Sequence, residues 1–193
     1  MKTVVKTYYL EMTDPADLKQ SRKSDISLEV QRAEIPCPEL NRFLYTAVGG
    51  DWYWIDRLKW TYDRWLIYVS RPELETWVGY VAGTPAGYYE LEMQSGANVE
   101  IAYFGLLPQF IGLGIGGQLL TRAVECAWAM DAARIWVHTC SLDGPAALDN
   151  YQGRGFRLYQ EVVSEVDLPQ EAPGPWPGAR KSAQVEQWFW RRE

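Results

Sequence analysis

Residues 99–118, VEIAYFGLLPQFIGLGIGGQ, decide how the rest of the chain is read. Ile101, Tyr103, Phe104, Leu106 and Leu107 favour an extended strand that stops at Pro108. Gly112, Gly114, Gly116 and Gly117 then come in quick succession, and after them Leu119, Leu120, Ala123, Val124 and Ala127 recur at helical spacing. The order is strand, glycine loop, helix. Glycines at a helix start let backbone N–H groups approach a ligand with no Cβ between, and the unpaired N–H groups of the first turn carry partial positive charge. Such a loop is an anion site, most often for phosphate.

Downstream, the helix is expected to continue to about Met130, followed by a short strand RIWVHTC over Arg134 to Cys140. Strand, helix and strand in sequence imply a right-handed crossover between parallel neighbours. LDGPAALDNYQGRGF gives a short helix over Ala146 to Gln152, and FRLYQEVVSEV is a final strand. Upstream, TWVGYVA and GYYELEM flank GTPAG as a hairpin. Before it lie two helical regions: ELNRFLYTAV, with Leu40, Phe43, Leu44 and Val48 on one face and Gly49-Gly50 as its stop, and a second from Asp51 to Val69. In the second, Ile55, Leu58, Tyr62, Trp65, Leu66 and Val69 keep the helical spacing, with Thr61 as a break point. The first two strands, at residues 3–12 and 26–33, are expected to pair as an opening hairpin with a long loop.

At 193 residues, with 47% hydrophobic and 23% charged residues, the chain suits one domain with a sizeable core. That domain is expected to span residues 1–168, leaving a tail at 169–193 that opens with Pro169, Pro173, Pro175 and Pro177 and ends near a WFW motif suited to docking or to a homodimer contact. No apolar run approaches the ~18 residues that span a bilayer. The N-terminus lacks a signal-peptide core, so the expectation is a cytoplasmic protein with no membrane partner. Cys37, Cys126 and Cys140 are an odd, widely spaced set, which points to free thiols and to no metal site. The net charge of -6, without a Lys/Arg cluster, argues against nucleic acid and suits a cationic partner such as an amine.

Gly112, Gly114 and Gly117 satisfy the G-x-G-x-x-G dinucleotide fingerprint. The fingerprint needs a tight turn directly after its strand and an acidic residue ending the next one. Here Pro108-Gln109-Phe110-Ile111 intervene, and Asp143 falls beyond Cys140. An NAD(P)-binding oxidoreductase is therefore the weaker alternative.

The second half supplies a better account. FGLLPQFIGLGIGGQLL and ALDNYQGRGF resemble the GNAT superfamily of acyl-CoA-dependent N-acetyltransferases, whose pyrophosphate loop typically reads Arg/Gln-x-x-Gly-x-Gly/Ala after a strand carrying V-x-P. Leu106 stands at the family's valine, Pro108 at its proline, Gly114 and Gly116 at the motif glycines, and Ile111 where Arg or Gln is usual. A shifted register, Gln109-x-x-Gly112-x-Gly114, restores the Gln but misaligns the leucines. The resemblance implies an α/β (α+β) fold with a mixed, largely antiparallel central sheet and helices on both faces. The sheet would splay between the strand ending near Leu107 and the strand ending near Cys140. It also implies acetyl-CoA as cofactor, bound by Leu106, Leu107, Ile111, Gly112, Leu113, Gly114, Ile115, Gly116, Gly117 and Asn150. The reaction implied is direct attack of an amine on the thioester in a ternary complex, with no nucleophilic cysteine.

Ala147, Tyr151, Gly155 and Phe156 fit the family's A-x-x-x-Y-x-x-x-G-F, whose tyrosine often protonates the departing thiolate; the other reading of Tyr151 is a packed ring with its hydroxyl at the surface. Glu100 stands where several members carry a strand glutamate as general base, and alternation places it beside Ala102, Phe104 and Leu106. Glu90, Glu92 and His138 compete for that role, and Trp54, Glu90 and His138 are expected to line the acceptor site. Trp52, Tyr53, Trp54, Trp60, Tyr62 and Trp65, with Asp51, Asp56 and Asp63 among them, can either face a cationic amine or fill the core. The function implied is acetyl transfer to a primary amine of a small molecule or peptide, with an inactive acyl-CoA-binding module as the nearer rival.

Overall fold

In a computed structural model, which describes residues 1–22 and 24–176, the chain runs β1 (Lys2–Met12), β2 (Glu29–Arg32), α1 (Pro38–Gly49), α2 (Tyr62–Val69), β3 (Leu74–Val81), β4 (Thr84–Gln94), β5 (Asn98–Leu106), α3 (Ile115–Ala129), β6 (Arg134–Cys140), α4 (Ala147–Gly153) and β7 (Arg157–Asp167). The strands form one sheet in the order β2-β3-β4-β5-β6-β1-β7. All neighbours pair antiparallel except β5 and β6. The expected mixed, largely antiparallel sheet with helices on both faces is the architecture found. The WFW motif lies outside the described residues.

One expectation about the sheet fails. β1 and β2 do not pair: β1 is clamped between β6 and β7, with Tyr9 opposite His138 on one side and Gln160 on the other, whereas β2 joins β3 at the far edge. Proximity in sequence favours a hairpin, but the two β-rich runs are separated by a polar segment long enough to cross the sheet. Burial on both sides decides the partner. Leu10 and Met12 pack under α3 with Ile135 and Val137, a cluster that an edge hairpin would leave open.

α3 presents Leu119, Leu120, Ala123, Val124 and Ala127 to one face of the sheet, against Tyr89, Leu91, Val99, Ile101, Ile135 and Val137. On the other face, Leu44, Ala47 and Val48 of α1 meet Val78, Ala86 and Tyr88, and Tyr45 packs with Trp65 and Val69 of α2. The buried side of α1 differs from expectation: Asn41 and Tyr45 belong to it, and Phe43 is exposed. The second helix is also shorter than its periodicity suggests. Tyr53 adopts a left-handed φ of 60°, residues 53–60 are turns and irregular chain, and Thr61 starts α2 by accepting a hydrogen bond from the Arg64 N–H. Tyr62 and Leu66 consequently face solvent. In the β3–β4 hairpin the turn falls on Ala82 and Gly83, both with positive φ, and Thr84 already belongs to β4.

The feature that shapes the site is a bulge in β5. Glu90 pairs with Tyr103 but Leu91 pairs with Ile101, so Ala102 is the extra residue. An extra residue reverses which side chains face which side of the sheet. Val99 and Ile101 point toward α3 before the bulge, Phe104 and Leu106 after it. Glu100 therefore lies on the face opposite Phe104 and Leu106, not beside them. Beyond the bulge β5 leaves β6: their parallel pairing covers only Asn98–Arg134, Val99–Ile135 and Glu100–Trp136.

Candidate active site

Where β5 and β6 diverge, a cleft of about 890 Å³ opens between their facing edges. Strand edges that no longer bond each other present N–H and C=O groups to whatever enters, which suits an extended, amide-bearing ligand. One mouth of the cleft is the glycine loop. Gly114 caps α3 with a φ of 78° and Gly112 has a φ of 88°, conformations that side chains rarely adopt. A Cβ on Gly112 would meet nothing within contact range, and one on Gly114 would touch only Ser24, so the loop backbone is bare toward the cleft. Its α3 N–H groups have the polarity of an anion cradle.

Of the residues expected around the cofactor, Leu106, Ile111, Gly112, Gly114, Gly116, Gly117 and Asn150 line this cleft. Leu107, Leu113 and Ile115 do not. Ile115 is fully buried in the core, and the Leu107 N–H is committed to the Ala86 carbonyl at 2.9 Å. Asn150 approaches the glycine loop directly, its amide nitrogen 3.4 Å from the Gly116 carbonyl.

Tyr151 reaches the cleft from α4. Its ring is held edge-on by Phe104 and Phe156, with only 5% of the residue exposed. Burial, and secondarily the nearby Asp143, push its phenol well above the ordinary tyrosine value, so it stays protonated through neutral pH. Cys140 also lines the cleft, but burial and then Asp143 raise its thiol, the opposite of what a nucleophilic cysteine needs.

The carboxylates sort themselves by burial. Glu90 is wholly enclosed between α1 and α2, accepting hydrogen bonds from Asn41 (3.0 Å), Arg57 (3.1 Å) and Tyr68 (2.7 Å), and is not on the cleft wall. Arg57 in turn sits among the rings of Tyr45, Trp60, Trp65, Tyr68 and Tyr103. Much of the aromatic crowd thus surrounds the chain's own guanidinium. Glu92 is paired with Arg71 through two hydrogen bonds. Glu100 accepts a hydrogen bond from Gln94 and lies 3.4 Å from Nδ1 of His138. Glu100 itself is not on the cleft wall, but His138 is, with 47% of its side chain exposed. Tyr9 and Trp136 flank the imidazole.

Trp52, Tyr53, Trp54 and Asp56 close the cleft from the α1–α2 side. Trp54 stacks edge-on against Tyr103 and Tyr88, which fixes one wall. Across the opening, a Cβ on Gly144 would come within 3.4 Å of Trp52, and the Gly174 N–H donates to the Gly50 carbonyl. Sequence reasoning passed over Tyr103, Asp143 and Arg154, all on the cleft wall. The bulge hides Tyr103, and Arg154 occupies a variable position of the motif that holds Tyr151.

Residues 37–156 match the model of the Acetyltransferase (GNAT) family. No curated protein sequence matches the chain. Among solved structures, the chain is similar to a GCN5-related N-acetyltransferase from Kribbella flavida, with 18% identity and a TM-score of 0.61 over 90% of this chain and 60% of that one. It is also similar to a GCN5-related N-acetyltransferase from Sphaerobacter thermophilus, with 14% identity and a TM-score of 0.63 over 86% of this chain and 54% of the other. This chain therefore spans little more than half of each. An IAA acetyltransferase from Bacillus cereus is 26% identical, with a TM-score of 0.52 over 69% of this chain and 79% of its own.

Proposed function

We propose that this chain, which belongs to the GNAT acetyltransferase family, transfers an acetyl group from acetyl-CoA to a primary amine by direct attack in a ternary complex. The observation that carries the reading is one cleft with a bare glycine loop at its mouth, a protonated tyrosine on its wall and a carboxylate-backed imidazole opposite. The residues fit a pyrophosphate-bearing cofactor. Gly112, Gly114, Gly116 and Gly117 put no Cβ of their own over the loop, and the buried Nε of Arg154 beside it has no hydrogen-bond partner. Acetyl-CoA supplies an activated thioester, whose acetyl carbon bonds to nitrogen as the bond to sulfur breaks.

The chain's own groups handle the protons. An amine attacks only when neutral, and His138 takes its proton at the ring nitrogen turned away from Glu100. Glu100 is a positioning residue: its carboxylate holds Nδ1 and stabilises the imidazolium that forms. This departs from a direct role for Glu100, because the bulge at Ala102 leaves it behind His138. Tyr151, kept neutral by burial, gives its phenolic proton to the leaving thiolate. The walls of Trp52, Tyr53 and Trp54 with Asp56 beside them favour a cationic, partly apolar amine. Residues 1–168 form the catalytic unit in this reading.

The test is calorimetry with CoA against NAD(P), followed by a screen of amines read by release of the free CoA thiol. CoA binding with turnover of at least one amine is expected. NAD(P) binding without a response to CoA would overturn the reading, and CoA binding with no turnover of any amine class would leave an acyl-CoA-binding module.

A further inference from the structure

The β1–β2 linker and the end of α4 meet over the glycine loop, and their contacts single out Arg154. The arginine stands at the C-terminal cap of α4, but its side chain extends to the first turn of α3: a Cβ built on Gly117 would lie 2.6 Å from its Nη1. The linker is drawn over the same place because β1 and β2 sit on opposite sides of the sheet. The Lys19 N–H donates to the Arg154 carbonyl at 3.0 Å, the Ser24 hydroxyl donates to the Leu113 carbonyl at 3.3 Å, and Ser21 approaches Gly117.

The guanidinium is electrostatically out of place. A helix N-terminus already carries partial positive charge, and a cation beside it is unfavourable unless an anion shares the site. Other arginines of the fold have solved this with carboxylates: Arg57 with Glu90, Arg71 with Glu92, Arg134 with Glu11, Arg157 with Asp17. Arg154 makes no ion pair among the described residues, and its Nε is buried without a hydrogen-bond partner. Two positive features are thus held together where α4 packs on α3 and the Asn150 amide donates to the Gly116 carbonyl, at a loop whose own side chain at Ile111 is apolar.

We propose that Arg154 is the cation of the cofactor-phosphate site, pairing with the pyrophosphate that the glycine-loop N–H groups bind. The proposal rests on the reading that this cleft takes acetyl-CoA. A guanidinium can present two N–H groups to a phosphate. Placed on α4, the charge comes from the helix that also carries Tyr151, so cofactor docking and the catalytic phenol share one rigid element.

The experiment is calorimetry of CoA and of dephospho-CoA with the wild type, Arg154→Ala, Arg154→Met and Arg154→Lys, together with thermal unfolding of each protein without ligand. Arg154→Ala is expected to raise both dissociation constants by a similar factor of about 10 to 100, with Arg154→Lys recovering part of it. Its unliganded melting temperature is expected to be unchanged or higher, since an unpaired cation leaves a helix N-terminus. If CoA weakens and dephospho-CoA does not, the residue reads the 3′-phosphate and the pyrophosphate assignment is wrong. Unchanged binding of both, or a marked fall in melting temperature in Arg154→Ala and Arg154→Met alike, would overturn the proposal by making Arg154 idle or structural. Failure of the wild type to bind either compound would instead refute the reading of the cleft.

Discussion

Removing the guanidinium of Arg57 should destabilise the protein far more than an ordinary substitution does. Glu90 has no solvent exposure and three donors, and Arg57 is its only cationic partner among the described residues, itself 9% exposed at the side chain. Burial opposes the charge on Arg57, but attraction to Glu90, and then to Tyr103 and Tyr68, outweighs it and raises its pKa. Arg57→Ala leaves a carboxylate in the core with only Asn41 and Tyr68 to solvate it, a defect of about 3–5 kcal/mol. A domain of this size has about 5–15 kcal/mol in total. With a urea slope of about 2 kcal/mol per molar, the unfolding midpoint should drop by about 2 M. Urea titration followed by tryptophan fluorescence reads this directly, because Trp60 and Trp65 pack against the guanidinium. Glu90→Gln keeps one acceptor oxygen, enough for Asn41 or Tyr68 but not both, while stranding the arginine, and the double variant Arg57→Met with Glu90→Gln should lose less than the sum of the two. A loss below about 1 kcal/mol for Arg57→Ala, or strict additivity in the cycle, would refute the buried pair as the anchor of the 53–61 segment and so of the Trp54 wall.

Four further outcomes are expected. Tyr151→Phe should lower kcat by about 100-fold or more while leaving CoA affinity nearly unchanged, measured by steady-state kinetics beside calorimetry. His138→Gln should cut kcat, and Glu100→Gln should cut kcat less; the reverse ranking would restore Glu100 as the direct base. Gly114→Val should raise the CoA dissociation constant by about tenfold or more, because the new side chain adds about 1–2 kcal/mol of left-handed backbone strain and covers the loop N–H groups. Burial raises the phenols of Tyr68, Tyr88, Tyr89, Tyr103 and Tyr151 above the ordinary 10.0. Their contribution to stability is therefore present below about pH 10 and lost as pH rises past it, when the unfolded chain ionises and the folded one does not. Tyrosinate absorbance should appear together with alkaline unfolding rather than before it.

The glycine loop, α3 and the two strands it joins were legible because their signals are local: bare glycines at a helix start, apolar residues at 3.6 spacing, β-branched runs. Tyr151 was legible for the same reason, as part of a fixed-spacing motif on one short helix. The errors share a different cause. Strict alternation placed Glu100 beside Phe104, and a single bulged residue at Ala102 moved it to the other face, against His138. Helical periodicity across residues 51–69 held only beyond the expected break at Thr61; the turns that follow Tyr53 replaced its first half, and Tyr62 ended in solvent.

By itself the sequence determined the kinds of element, the place of the glycine loop and the family to which the chain belongs, since these depend on residues within a turn or two of each other. The tertiary structure decided which elements meet. β1 left its neighbour in sequence for a slot between β6 and β7, because only there are Leu10 and Met12 buried. That choice drew the linker across the glycine loop. Glu90 became a buried counter-ion to Arg57, His138 came to face the cleft with Glu100 behind it, and Arg154 was set over the start of α3. Partner choice of this kind is a property of long-range burial and charge, and no window of local sequence contains it.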